Sequence, residues 1–250
     1  MQLLNIGIAR SIWLFDLNEM NPRGKSIVPD ALVWLGEKYH FQTFPKSPMD
    51  VDKETKGFLF RTGEFQTEEG SFNVNLSMYT DGFVAETWSS TERTDAFLDE
   101  LLRSVANKFD LPYNADLVKV KRYISEVNFR LDKPLGNINP RITRFCETLN
   151  GIFARHHLRP FELTGMIFAP DVVSTSYQPP GFMIERKQGA AFSENRFWSK
   201  APFTTKEHLV AIEEFEKMLV QHFIEVQPTQ HARQITLTDD TSQRGEVDLE

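Results

Sequence analysis

The chain has 250 residues, of which 40% are hydrophobic and 12% aromatic, enough to bury a core in one large domain or two small ones. Lys and Arg number 28 against 35 Asp and Glu, a net charge of −7, which argues against a dedicated nucleic-acid binder because neutralising phosphates takes clustered cations. No stretch approaches the roughly 18 uncharged apolar residues of a membrane helix, and the single Cys146 excludes an internal disulfide and a cysteine-rich metal site.

The opening MQLLNIGIARSIWLFDLNE has no cationic segment before its apolar residues and no small-residue cleavage site, so it reads as mature structure of a cytoplasmic protein. Ile12 to Leu17 suits a buried strand. Turn residues follow from Asn21 to Ser26, and Pro29 opens a helix carrying Leu32, Trp34, Leu35 and Tyr39. GFLFRTGEF, from Gly57, is a strand, and Glu68, Glu69 and Gly70 mark the turn into the next one.

Asp81-Gly82 between two alternating runs predicts a two-residue hairpin loop that pairs Thr80 with Phe83, Met78 with Ala85 and Leu76 with Thr87. One face then collects Val74, Leu76, Met78, Phe83 and Ala85. The other collects Asn73, Asn75, Ser77, Tyr79, Glu86 and Trp88, polar with an aromatic pair. Ser89, Ser90 and Thr91 fall where a hydroxyl caps a helix, and Phe97, Leu98, Leu101, Leu102, Val105, Ala106 and Phe109 recur at helical spacing.

The second half repeats this order. Leu117 to Leu131 alternates as a long strand, and Asn139 caps a helix with Pro140 at its first position. Strands are expected at Phe161 to Ala169, Gly181 to Lys187 and Phe192 to Ser199, then a helix opened by the capping box Thr204 to Glu207. The expectation is an α+β fold of mainly antiparallel sheet packed with helices. A β-α-β-β-β-α order occurs twice, over 1–112 and 113–226, compatible with internal duplication although residue identity between the halves is negligible. Residues 227–250 read as a flexible polar tail in which RQITLT could add a short strand.

Few motifs carry chemistry. Gly24-Lys25-Ser26 looks like the end of a phosphate loop, but the glycine required five positions earlier is Glu19. The histidines lack the spacing of a zinc set. Pro170-Asp171, followed by Glu185-Arg186-Lys187 on a strand, places two acids and a lysine where alternation puts Glu185 and Lys187 on one face. This pattern resembles the PD…(D/E)xK signature of the restriction-endonuclease-like nucleases. The resemblance implies Mg²⁺ or Mn²⁺ held by Asp171 and Glu185, Lys187 acting on the attacking water, and a nucleic-acid substrate. The plain reading of the same residues is a turn at Asp171 and a solvated strand end.

The other local patterns resolve into caps, turns and core faces. The preferred expectation is therefore a non-catalytic interaction or assembly protein, without cofactor or membrane contact, that binds a protein partner or a second copy of itself. Its contact surface would be the hairpin face of Asn73, Asn75, Tyr79, Glu86 and Trp88, unless helices of the same chain cover that face.

Overall fold

The computed structural model describes residues 1–22, 28–68, 70–156, 160–171 and 180–225. The first strand, β1 (Gln2–Leu14), begins ten residues before the apolar run that suggested it. Its alternation is broken by register shifts between Leu3 and Asn5 and between Ile6 and Ile8, so a strict two-residue period does not run through it. It also stops earlier than expected, because the Asp16 side chain accepts from the Asn18 N–H and starts the short helix α1 (Leu17–Met20). Helix α2 (Val28–Lys38) follows, then the meander β2 (Phe58–Thr67), β3 (Gly70–Tyr79) and β4 (Gly82–Thr87).

The β3–β4 loop consists of Thr80 and Asp81, one position earlier than expected, with Tyr79 paired to Gly82, Met78 to Phe83 and Leu76 to Ala85. Gly82 is needed inside the strand instead: its φ is +152°, and a Cβ there would sit 2.2 Å from the Trp13 carbonyl oxygen. The pairing moves by two residues, an even shift, so the expected sorting of faces survives.

Helix α3 (Thr91–Phe109) starts at Ser90, whose side chain accepts from the Arg93 N–H. Then come β5 (Val120–Arg130) and α4 (Pro140–Phe153), the latter capped by Asn139 as expected. The next three strands are shorter than the sequence suggested: β6 (Gly165–Phe168), β7 (Phe182–Arg186) and β8 (Arg196–Ala201). Phe192–Glu194 is a 3-10 turn rather than strand. Glu194 there accepts from the Ala191 N–H, and Asn195 takes a left-handed φ of 47° before β8 begins. Helix α5 (Thr205–Glu225) follows, with Thr204 and Glu207 bonded as the capping box requires. Gly24-Lys25-Ser26 and the tail with RQITLT lie outside the described residues.

All eight strands form one antiparallel sheet in the order β2-β3-β4-β1-β5-β8-β7-β6. The order is mirrored about the β1–β5 pair, which runs from Gln2 opposite Arg130 to Leu14 opposite Val120. One face is dry. In the first half, Trp13, Phe60, Leu76, Phe83, Phe97 and Leu101 belong to a buried cluster to which α2 and α3 contribute. In the second, Val127, Phe129, Ile184, Phe197, Ile212 and Leu219 belong to a smaller one beneath α5.

Buried hydroxyls join the two clusters. The Thr91 N–H donates to Thr205 Oγ1 at 3.0 Å and the Thr205 N–H donates to Thr91 Oγ1 at 2.7 Å, so the two long helices cap each other. Ser11 lies 2.7 Å from Thr94 Oγ1, and Ser125 donates to Thr205. Asp95 ties α3 to both central strands by accepting from Trp13 Nε1 at 2.8 Å and from the Tyr123 hydroxyl at 2.9 Å. No helix among the described residues is long and apolar enough to cross a membrane.

Candidate functional site

Strand alternation that sends Ala9, Ser11 and Trp13 into the core sends Ile8, Arg10 and Ile12 to the opposite face. Val84 and Glu86 of β4, Ile124, Glu126 and Asn128 of β5, and Trp198 and Lys200 of β8 join them there, all half-buried. Register sets the neighbours: Ile12 is opposite Val84, Arg10 is opposite Glu86 and Ile124, and Glu126 is opposite Lys200. The result is an aliphatic centre flanked by charges.

Those charges are already engaged. Arg10 Nε donates to Glu86 Oε2 at 3.0 Å, with a second bond from Nη2. Glu126 pairs with Lys200 at 3.0 Å and accepts from the Trp198 indole at 3.4 Å. The buried residues of α2, α3 and α5 pack on the other side of the sheet, and α4 buries none.

The five residues singled out from the hairpin lie on or beside this face. Trp88, just past β4, is 56% exposed. Asn73 is exposed, and its carbonyl accepts from Thr87 Oγ1. Asn75 is committed to the fold, since its Oδ1 accepts from the N–H of Thr62, a residue held at a φ of 54° where β2 bulges. Glu86 is committed to Arg10. The Tyr79 ring lies against Gly57, where a Cβ would come within 2.5 Å of it, so this aromatic is an edge packing group as much as a contact.

The acids of the nuclease pattern are not drawn together by strand pairing. Gly165 lies opposite Glu185 and Phe168 opposite Phe182, and the chain reaches Asp171 only beyond Phe168. Glu185 is therefore three strand steps, about 10 Å, from the end of β7 nearest Asp171. Asp171, Glu185 and Lys187 are all exposed. No three His, Cys, Asp or Glu among the described residues are grouped to hold a metal.

Another polar cluster ties α2 to α3. Glu100 accepts from Lys38 Nζ at 2.8 Å, from Ser104 and from the Tyr39 hydroxyl. Burial acts to raise the Glu100 carboxyl, but these three bonds outweigh it and hold the group below its ordinary range. Burial, and then the bond to Glu100, push the Tyr39 hydroxyl far up. A neutral phenol against an ionised acid is an anchor between helices.

Sequence reasoning missed Arg10, Ile8, Ile12, Ile124, Glu126, Trp198 and Lys200 as parts of the same surface. Alternation was present in each of these segments, but nothing local said that the strands were neighbours. The chain matches no family model, and no curated protein matches it.

Proposed function

We propose that the chain is a non-catalytic interaction protein whose second sheet face docks a protein partner. The observation that carries this reading is the continuity of that face from β3 across β4, β1 and β5 to β8, with Ile8, Ile12, Val84 and Ile124 at its centre. Its Arg10–Glu86 and Lys200–Glu126 pairs cancel locally. A neutralised, aliphatic surface suits a protein better than a phosphate backbone, which rewards unpaired cations. Trp88 and Trp198 add the aromatic area that commonly anchors protein interfaces. The repeated element order and mirrored strand positions support reading the chain as a duplicated unit whose halves build the face jointly.

The test is affinity recovery of the full chain from its native cells, as wild type and as Trp88→Ala and Ile12→Arg, with sedimentation to detect self-association. The expected outcome is one partner at near-stoichiometric yield with wild type, weakened on each substitution by about 2 kcal/mol, roughly 30-fold in Kd. A second copy of the chain would instead appear as a dimer lost in the same variants. Equal recovery by all three proteins, each with an unchanged melting temperature, would refute the proposal.

A further inference from the structure

The first half contains an apolar cavity of about 200 Å³ between α1, α2 and the meander β2–β4. Its floor is core: Met20, Leu32, Leu35 and Phe83 are buried. Phe58, Met78, Val105 and Leu111 form its walls. Of its lining rings, Phe83 packs edge-on against Phe15 with centroids 4.9 Å apart. Protein interiors seldom leave voids larger than a water molecule, and a dry apolar cavity of about 150 Å³ already accepts benzene. The space is larger than that, and two of its lining groups are methionines, whose unbranched side chains adapt to the shape of a guest.

The mouth has a different character. Val28 and Val51 are 42% and 37% exposed beside it. Lys56 stands at the same opening, exposed and at a φ of 60°, and among the described residues its ammonium meets no carboxylate. Lys56 is the cation at this rim among the described residues, and an apolar interior with a cation at its mouth selects a guest with a hydrocarbon body and an anionic head.

We infer that this cavity is a binding site for a small amphiphilic carboxylate, its acyl or aryl body among Met20, Leu32, Phe83 and Met78 and its head at Lys56. Apart from Tyr79, which lines the cavity as well as the edge of the sheet face, the site is separate from that face and stands or falls without it.

Octanoate is the probe, titrated into the full chain carrying ¹³C-methyl methionine. Met20 and Met78 methyl signals should shift with one saturable transition, while Met183, on β7, should not move, and the melting temperature should rise. Ala31→Leu, which adds bulk to the lining, should weaken octanoate at least tenfold in a protein that still folds. Lys56→Gln should weaken octanoate about fivefold, the effect of losing one exposed ion pair, and leave octanol binding unchanged. The inference is overturned if millimolar octanoate shifts neither Met20 nor Met78. It is also overturned if Ala31→Leu binds as wild type does, or if Lys56→Gln weakens octanol as much as octanoate. The methionine signals come from the wild-type chain, so failure of a variant to fold does not remove the test.

Discussion

His208 is fully buried, with Nε2 2.8 Å from Ser199 Oγ, its ring edge-on to Phe182, and Nδ1 without a hydrogen-bond partner among the described residues. Burial alone pushes its pKa down to about 4 from 6.5. The unfolded chain therefore binds a proton between pH 6.5 and 4 that the folded chain refuses. Stability is complete above pH 6.5 and falls as the pH drops toward 4. Between pH 7 and pH 5 the expected loss is roughly 2 kcal/mol, measured by urea unfolding at the two pH values. His208→Gln should abolish most of that difference, and an equal loss in the variant would assign the pH dependence elsewhere. Glu100, held below its ordinary range, adds a loss of the same sign only as the pH falls through the ordinary carboxylate range, where the unfolded chain takes up a proton that the folded chain resists. In the first half the comparable buried contact joins Ser11 to Thr94 and has no titrating group.

Among the elements, the β3–β4 hairpin carries the clearest local instructions and the clearest departure from them. Val74, Leu76, Phe83 and Ala85 are buried as their alternation demands. The glycine that suggests a turn residue in fact serves a close crossing, because β1 runs past Gly82 while the turn carbonyls of Asp81 and Thr80 accept from the Phe15 and Leu17 N–H groups. Gly82→Ala should therefore destabilise the protein by on the order of 1–3 kcal/mol, read as a lower urea midpoint. A neutral result would mean that the strand can retreat from Trp13. Helices were more legible than strands: Ser90, Asn139 and Thr204 cap where their side chains predict. Caps and heptad-like spacing act within one or two turns, whereas the ends of β6 and β8 depend on neighbours far along the chain.

The whole molecule is held across its middle by β1–β5 pairing and by the reciprocal Thr91–Thr205 bonds. Removing one hydroxyl leaves a buried backbone N–H without its acceptor. Thr205→Val should cost about 1–3 kcal/mol while Thr205→Ser stays within about 1 kcal/mol of wild type, as measured by thermal unfolding. Equal stability of both variants would show that the seam does not depend on this bond. The sheet's two edges also differ. At the outer edge of β2 the preceding loop pairs with Arg61, which donates to the Thr43 carbonyl and accepts from the Gln42 N–H. At the opposite edge, Ile167 and Phe168 of β6 are 62% and 46% exposed.

By itself the sequence determined the α+β class, the order of the strands and the four longer helices, the caps of α3, α4 and α5, and the two faces of the hairpin, since each follows from side-chain period and from groups a few residues apart. Tertiary structure alone decided that both halves share one sheet, that Gly82 lies under Trp13, and that Arg10 meets Glu86 while Lys200 meets Glu126. Those contacts join residues brought together by strand pairing rather than by proximity along the chain. Alternation fixes that a strand has two faces, but only packing decides which face the helices bury and which is left to meet something else.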